Sequence, residues 1–212
     1  MSRQEPGRAK RLSLSAERKR QVNTNEAEVD TSTRLLALLD ALCSLLYARH
    51  PMSEDYPITT AVRQLRTSGV KFTPHLYNYV EHGGTRASSE SLGVPEHSVI
   101  KTIVLETDTK QPLLVLMHGD LEVSTKQLAR AIGVKHVELC AADVAQRHTG
   151  YQFGGTSPFG TRKRLPVYAE KTIFDLPKIY INGGKRGFLV EIDPRELKRV
   201  VGAEEVEVGI RD

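Results

Sequence analysis

The 212-residue chain has no tryptophan and only two cysteines, Cys43 and Cys140, with no CxxC spacing. Two isolated thiols exclude a disulfide-stapled scaffold and a zinc finger. No apolar run approaches the roughly 20 residues needed to cross a bilayer, which excludes an integral membrane protein. The short apolar core of a secretory signal is missing too, so a cytoplasmic protein is expected. The seven histidines show neither HExxH nor a pairing with cysteine at metal spacing, so no metal site is expected, and no cofactor. GxSxG, GxGxxG and GxxxxGK[ST] are all missing, which removes the nucleophile elbow and the nucleotide-fold motifs.

What is present is ordinary for a globular protein: 39% apolar and 26% charged residues in 23.6 kDa. A chain of this size hides roughly 70% of its unfolded surface and needs no staple to fold. Charge, however, is unevenly placed. Residues 1–22 carry Arg3, Arg8, Lys10, Arg11, Arg18, Lys19 and Arg20 against Glu5 and Glu17. That excess outweighs the net +4 of the whole chain, so the alkaline character belongs to the tail. A disordered basic tail is expected over 1–30. It suits a nucleic-acid backbone, a solvated leader, or an Arg/Ser-rich presequence, the last weakened by the glutamates.

From Thr31 the pattern changes. Leu35, Leu36, Leu38, Leu39, Leu42, Leu45 and Leu46 fall at helical spacing, predicting a helix over 34–49 within an extra segment 31–57 that ends in a linker. Its apolar face must pack on the main domain or on a second copy, which makes self-association a candidate role. A second helix is expected from about Ile58 to Arg66, extended chain over 71–80, and a short helix over Ala87–Leu92. Val99–Glu106 and Pro112–His118 are apolar, β-rich runs suited to central strands. Ser124 opens a helix with a capping box to Gln127, a staple from Val123 to Leu128, and a stop at Gly133. The same grammar recurs with Asp193 as cap, Pro194 at the first position, Glu196 reaching back, Ile192 against Leu197, and Gly202 as stop. Lys178–Asn182 and Phe188–Ile192 flank Gly183–Gly187 and predict a hairpin. The expectation is a mixed α+β domain over 58–212.

Three segments stand out chemically. Gly150–Gly160, GYQFGGTSPFG, cannot form a regular helix or strand, and it either presents several backbone N–H groups to one point or is a long surface turn. Gly154 and Gly155 allow a ligand to approach the main chain closely. Lys101 interrupts Val99–Leu105 on the same face as Ile103 and Leu105. Its ammonium either meets an oxygen partner inside or guards an edge strand with its amine in water. Lys185 and Arg186, in a glycine-flanked turn, either meet phosphates or ride a solvated tip, and Arg162, Lys163 and Arg164 add a second basic cluster. Cys140 reads as a small buried residue. Ser157 is a conceivable nucleophile with no identifiable base, so catalysis would fall to backbone dipoles and to groups on the substrate itself.

Together, Tyr79-Val80-Glu81-His82, Ile100–Val104, Val144–Arg147, GYQFGGTSPFG, Lys163–Pro166 and GGKRG resemble the YbaK/EbsC family of aminoacyl-tRNA deacylases. These are relatives of the editing domain of bacterial prolyl-tRNA synthetase, and the resemblance covers 58–212. It implies a mixed, partly closed sheet surrounded by helices, and hydrolysis of mischarged Cys-tRNA(Pro). Cysteine and proline are too alike in size for one apolar pocket to separate them, so a second, hydrolytic site is needed. The resemblance implies that Lys101 holds the terminal adenosine or its phosphate. It further implies that Gly154 and Gly155 open a GxxxP loop, through Thr156 and Ser157 to Pro158, whose amides face the aminoacyl carbonyl. Tyr79 matches a pocket-wall tyrosine, with Tyr77 as its rival, and Tyr151, Lys185 and Arg186 join the substrate-binding set. In such enzymes the substrate thiol attacks its own carbonyl. Prolyl-tRNA synthetase is the implied partner, supplying the choice of mischarged proline tRNA. Leu189 stands where some close relatives have an aspartate, with Glu191 the nearest carboxylate. The alternatives are the same chemistry on another mischarged tRNA such as Ala-tRNA(Pro), a non-catalytic tRNA- or synthetase-binding module, and a regulatory protein that uses the 34–49 helix.

Overall fold

The structure, a computed structural model, describes residues 55–211. The tail expected over 1–30 and the helix expected over 34–49 lie outside the described residues. In chain order the elements are α1 (Thr60–Thr67), β1 (Thr73–Leu76), α2 (Gly84–Leu92), β2 (Val99–Thr107), β3 (Pro112–His118), β4 (Glu122–Val123), α3 (Thr125–Ile132) and β5 (Val137–Leu139). They continue with α4 (Ala142–Thr149), β6 (Val167–Glu170), β7 (Ile179–Lys185), β8 (Phe188–Ile192), α5 (Arg195–Val201), β9 (Glu204–Val206) and β10 (Gly209–Ile210). Among the described residues no helix is long and apolar enough to cross a membrane.

The apolar runs at 99–107 and 112–118 pair antiparallel, from Ile100 opposite His118 to Glu106 opposite Pro112. Around them the main sheet runs β1-β8-β7-β2-β3-β6-β9, and β5 adds to β2. The sheet is mixed: β2 runs parallel to β7, β3 to β6 and β6 to β9, while the other pairs are antiparallel. β4 and β10 form a separate two-stranded ribbon. The mixed sheet with surrounding helices implied by the resemblance is therefore the architecture found.

Alternation explains why β2 and β3 are apolar almost throughout. Ile100, Leu114 and Leu116 face one core with Ala61, Val62 and Leu65 of α1, while Leu105, Val115 and Met117 face a second with Leu128 of α3. A strand covered on both sides has no face left for polar residues.

Helix punctuation was legible. Ser124 accepts a hydrogen bond from the Gln127 amide, but its own amide donates to the Val208 carbonyl at 2.8 Å and not to Gln127, so only half of the expected box forms; Gly133 closes α3 in the left-handed conformation. Thr59 caps α1 by accepting from the Val62 amide, a contact worth about 1 kcal/mol. At α5 the expected box is again only half formed. Asp193 accepts from the Arg195 amide at 2.9 Å, but Glu196 pairs with Arg199 instead of reaching back. α2 begins at Gly84, before the expected Ala87, because the Ala87 amide already bonds to the Gly83 carbonyl. Of the extended stretch expected over 71–80, only Thr73–Leu76 joins the sheet.

Candidate active site

The glycine-rich loop begins where α4 ends, with Gly150 at a left-handed φ of 82°. A tight turn follows, in which the Gly155 amide donates to the Gln152 carbonyl at 2.9 Å. Gly154 holds the third position of that turn at φ +80°, a conformation that favours glycine there. The far half of the loop is buried. Tyr151 donates to the Phe159 carbonyl and meets the Thr60 hydroxyl at 2.7 Å, and burial raises its pKa. The Ser157 hydroxyl is fully buried and accepts from the Phe159 amide at 3.4 Å. Pro158 is buried beside it. Tyr151, Ser157 and Pro158 thus shape the loop from behind.

The front of the loop meets the β7–β8 hairpin. A β-carbon on Gly155 would stand 3.1 Å from the Arg186 amide nitrogen, so any larger residue would push the two main chains apart by a few tenths of an ångström. Asn182 stitches them together. Its Nδ2 donates to the Gly154 carbonyl at 3.1 Å, while its Oδ1 accepts from the Gly184 and Lys185 amides at 2.7 and 3.2 Å. Arg186 Nε donates to the Phe153 carbonyl at 2.8 Å, and the guanidinium lies 5.1 Å from the centre of the Tyr79 ring. The Tyr79 hydroxyl comes within 3.0 Å of where a Gly154 β-carbon would be. Tyr79 is therefore the tyrosine at the loop. Tyr77 packs with Val99, Tyr180 and Leu189 in a small apolar cluster, and burial raises its pKa.

Among the described residues, the amides of Gln152, Phe153, Gly154, Thr156 and Ser157 have no protein acceptor, whereas the Gly155 amide is spent within the turn. Of these, Gly154 and Thr156 flank Gly155, whose main chain lies against the hairpin.

Lys101 lies on the neighbouring strand. β2 and β7 are in register at Ile100 and Ile181, and the next residues along each, Lys101 and Asn182, turn to the opposite face. The lysine thus shares a sheet face with the asparagine that holds the loop. Its side chain is 21% exposed, and Nζ donates to Glu122 Oε1 at 2.8 Å and to the Gly119 carbonyl at 3.4 Å. This is the inward reading of the lysine, an ammonium satisfied by oxygens. Glu191 stays on β8, where it engages Lys178 and His75, each at 3.1 Å. Leu189 is buried opposite Asn182 and brings no carboxylate there.

Three features were missed in the sequence. Asn182 ended an apolar strand run and gave no sign of its partner across the fold. Glu122 preceded a helix cap with nothing to mark it as the counter-ion of Lys101. Beyond Gly119, the His97 and His118 rings stack at 3.7 Å, and His97 Nδ1 meets Asp120 at 2.8 Å. His118 is fully buried, donates from Nδ1 to the His97 carbonyl, and accepts at Nε2 from Thr172. Among the described residues no cluster of three or more His, Cys, Asp or Glu side chains converges to hold a metal ion.

The sequence pattern of the aminoacyl-tRNA editing domain matches residues 83–200. The chain is 28% identical over 155 residues to EbsC of Enterococcus faecalis, provisionally named a Cys-tRNA(Pro)/Cys-tRNA(Cys) deacylase, covering 73% of this chain and 94% of that protein. It is 30% identical over 86 residues to proline–tRNA ligase of Brachyspira hyodysenteriae, which is 41% of this chain but 15% of that longer enzyme. A solved structure described as a candidate trans-editing enzyme for prolyl-tRNA synthetase shares the fold at a TM-score of 0.63 and 19% identity, covering 73% of this chain and 99% of that one. A hypothetical protein of known structure matches at 0.66 and 22%, covering 72% and 100%. More than half of the chain lies inside the editing-domain pattern, on the fold that a trans-editing structure also shows, and the chain therefore belongs to the aminoacyl-tRNA editing domain family, a family of aminoacyl-tRNA deacylases.

Proposed function

We propose that the chain removes cysteine mistakenly esterified to proline tRNA, acting in trans to the synthetase. The observation that carries this is the convergence of Gly154, Tyr79 and Arg186, with the ammonium of Lys101 on the same sheet face as the Asn182 that anchors the loop. The relatives named for Cys-tRNA deacylation and proline–tRNA ligation point to the same substrate.

In this reading the free amides at Gly154 and Thr156 receive the carbonyl oxygen of the ester as negative charge builds on it. One such donor is typically worth about 10²–10³ in rate. Lys101 exchanges Glu122 for an oxygen of the terminal nucleotide, and Tyr79 walls the pocket. The two protein groups considered as replacements for a substrate nucleophile are poorly placed for it. Ser157 is buried and hydrogen bonded, and burial and then the charge of Glu106 raise the Cys140 thiol pKa. The thiol of the esterified cysteine then attacks its own carbonyl carbon. A C–S bond forms, the C–O ester bond breaks, and the thiol proton passes to the departing ribose oxygen. Water afterwards opens the cyclic thioester to free cysteine.

The test is release of labelled cysteine from charged proline tRNA by wild type and Lys101→Ala. Wild type should exceed buffer by orders of magnitude, and Lys101→Ala should lose most of that. Ser-tRNA(Pro) should survive, since a hydroxyl is the poorer nucleophile. Cleavage of Ser- or Ala-tRNA(Pro) at the cysteine rate would reject thiol assistance. Adding prolyl-tRNA synthetase should sharpen the choice of tRNA. Equal selectivity without it would remove that partner.

A further inference from the structure

We propose that Phe153 and Arg186, braced by Tyr79, form a stacking platform for the bases of an unpaired RNA 3′ end, immediately outside the ester-binding loop. The inference rests on the deacylase reading above, because the ester that reading requires sits at the end of such a strand.

Phe153 is 78% exposed, the most exposed large apolar side chain among the described residues. A ring so placed has no packing role within the fold, yet its backbone is held with care. It occupies the second position of the turn closed by the Gly155 amide on the Gln152 carbonyl. Its own carbonyl accepts from Arg186 Nε at 2.8 Å, and the next carbonyl, of Gly154, accepts from Asn182 at 3.1 Å. A solvent-facing ring on a turn tied at three points loses little freedom when something stacks on it.

Its surroundings decide what that something is. The Arg186 guanidinium lies against the Tyr79 ring, so flat groups with exposed surface gather around Gly154. Among the described residues the terminal nitrogens of Arg186 and the ammonium of Lys185 have no protein acceptor, and both side chains are exposed. Aromatic faces take any base, and unpaired cations take the phosphates between bases. A duplex hides its base faces, so the platform selects an unpaired end.

The absence of tryptophan from the chain makes the test direct, since Phe153→Trp carries a single reporter at the platform. A short RNA hairpin with an unpaired 3′ end should quench that fluorescence saturably, and the blunt hairpin should not. By anisotropy of the labelled overhang hairpin, Phe153→Ala should bind about fivefold or more weakly than wild type, while Phe153→Tyr stays within about twofold. Fluorescence that does not move while anisotropy saturates overturns the platform, as does wild-type affinity in Phe153→Ala. Failure of wild type to bind the RNA at all overturns it equally. Turnover of charged tRNA by the same preparation then shows whether the deacylase reading falls with it.

Discussion

The ammonium of Lys101 and the carboxylate of Glu122 stand 2.8 Å apart, so the cation that the proposed mechanism offers to substrate is already engaged. Glu122 is 54% exposed, and a pair this open to water is worth about 0–1 kcal/mol. In that mechanism substrate must displace it. Glu122→Gln should therefore lower KM for charged tRNA by up to about fivefold with kcat little changed. Steady-state kinetics on both proteins checks this, and a raised KM would mean that Glu122 positions Lys101 and does not compete for it.

Gly154 carries a second prediction. Its φ of +80° costs a non-glycine residue roughly 1–2 kcal/mol, and an added β-carbon would press on the Tyr79 hydroxyl at 3.0 Å. Gly154→Ala should lower the unfolding midpoint by about 2–8 °C. It should also cut kcat/KM by about tenfold or more, since the proposed mechanism asks the Gly154 amide to stabilise an oxyanion. Full activity in a destabilised protein would separate the turn from the chemistry.

These two positions were legible to different degrees for physical reasons. Gly154 announces itself, because glycine-rich sequence is cheap only where the backbone needs unusual angles or close approach. Lys101 is equally visible, as a charge inside an apolar run. Its counter-ion is not, since a polar residue before a helix cap looks like any other. Ser124 and Gly133 show why α3 was readable, for capping is settled within a few residues. The bonds of Asn182 to Gly154 and of Tyr151 to Thr60 join segments far apart in the chain, and no local pattern encodes such pairs.

Asn182 offers a test of how the loop is held. In Asn182→Asp the remaining oxygens still accept from Gly184 and Lys185, but a carboxylate replaces the donor facing the Gly154 carbonyl. The loop side loses its bond and gains repulsion, at a cost of about 1–3 kcal/mol. kcat should fall at neutral pH and recover partly on acidification, because a protonated carboxyl can again donate to that carbonyl. A variant whose activity does not respond to pH in this way would show that the Asn182–Gly154 bond does not position the loop.

The buried His118 sets a pH dependence of stability. Burial is the largest influence and lowers its pKa; the bond to the His97 carbonyl works the other way and the nearby His97 lowers it further. In the unfolded chain the imidazole titrates near the ordinary value of 6.5. Above that pH both states are neutral and His118 adds no slope. As pH falls below it the unfolded state binds the proton first, so stability is lost until the lower, folded value is passed. His148, whose pKa burial also lowers, contributes with the same sign. The contribution of His118 is therefore the difference between wild type and His118→Asn, which keeps a donor for the His97 carbonyl. Thermal unfolding between about pH 5 and 8 should show the wild-type midpoint falling more steeply on acidification. At neutral pH the variant should be the less stable by about 1 kcal/mol, because the Thr172 hydroxyl loses its acceptor. Parallel curves would mean that His118 takes up its proton without unfolding, with the stacked His97 ring moving to admit the charge.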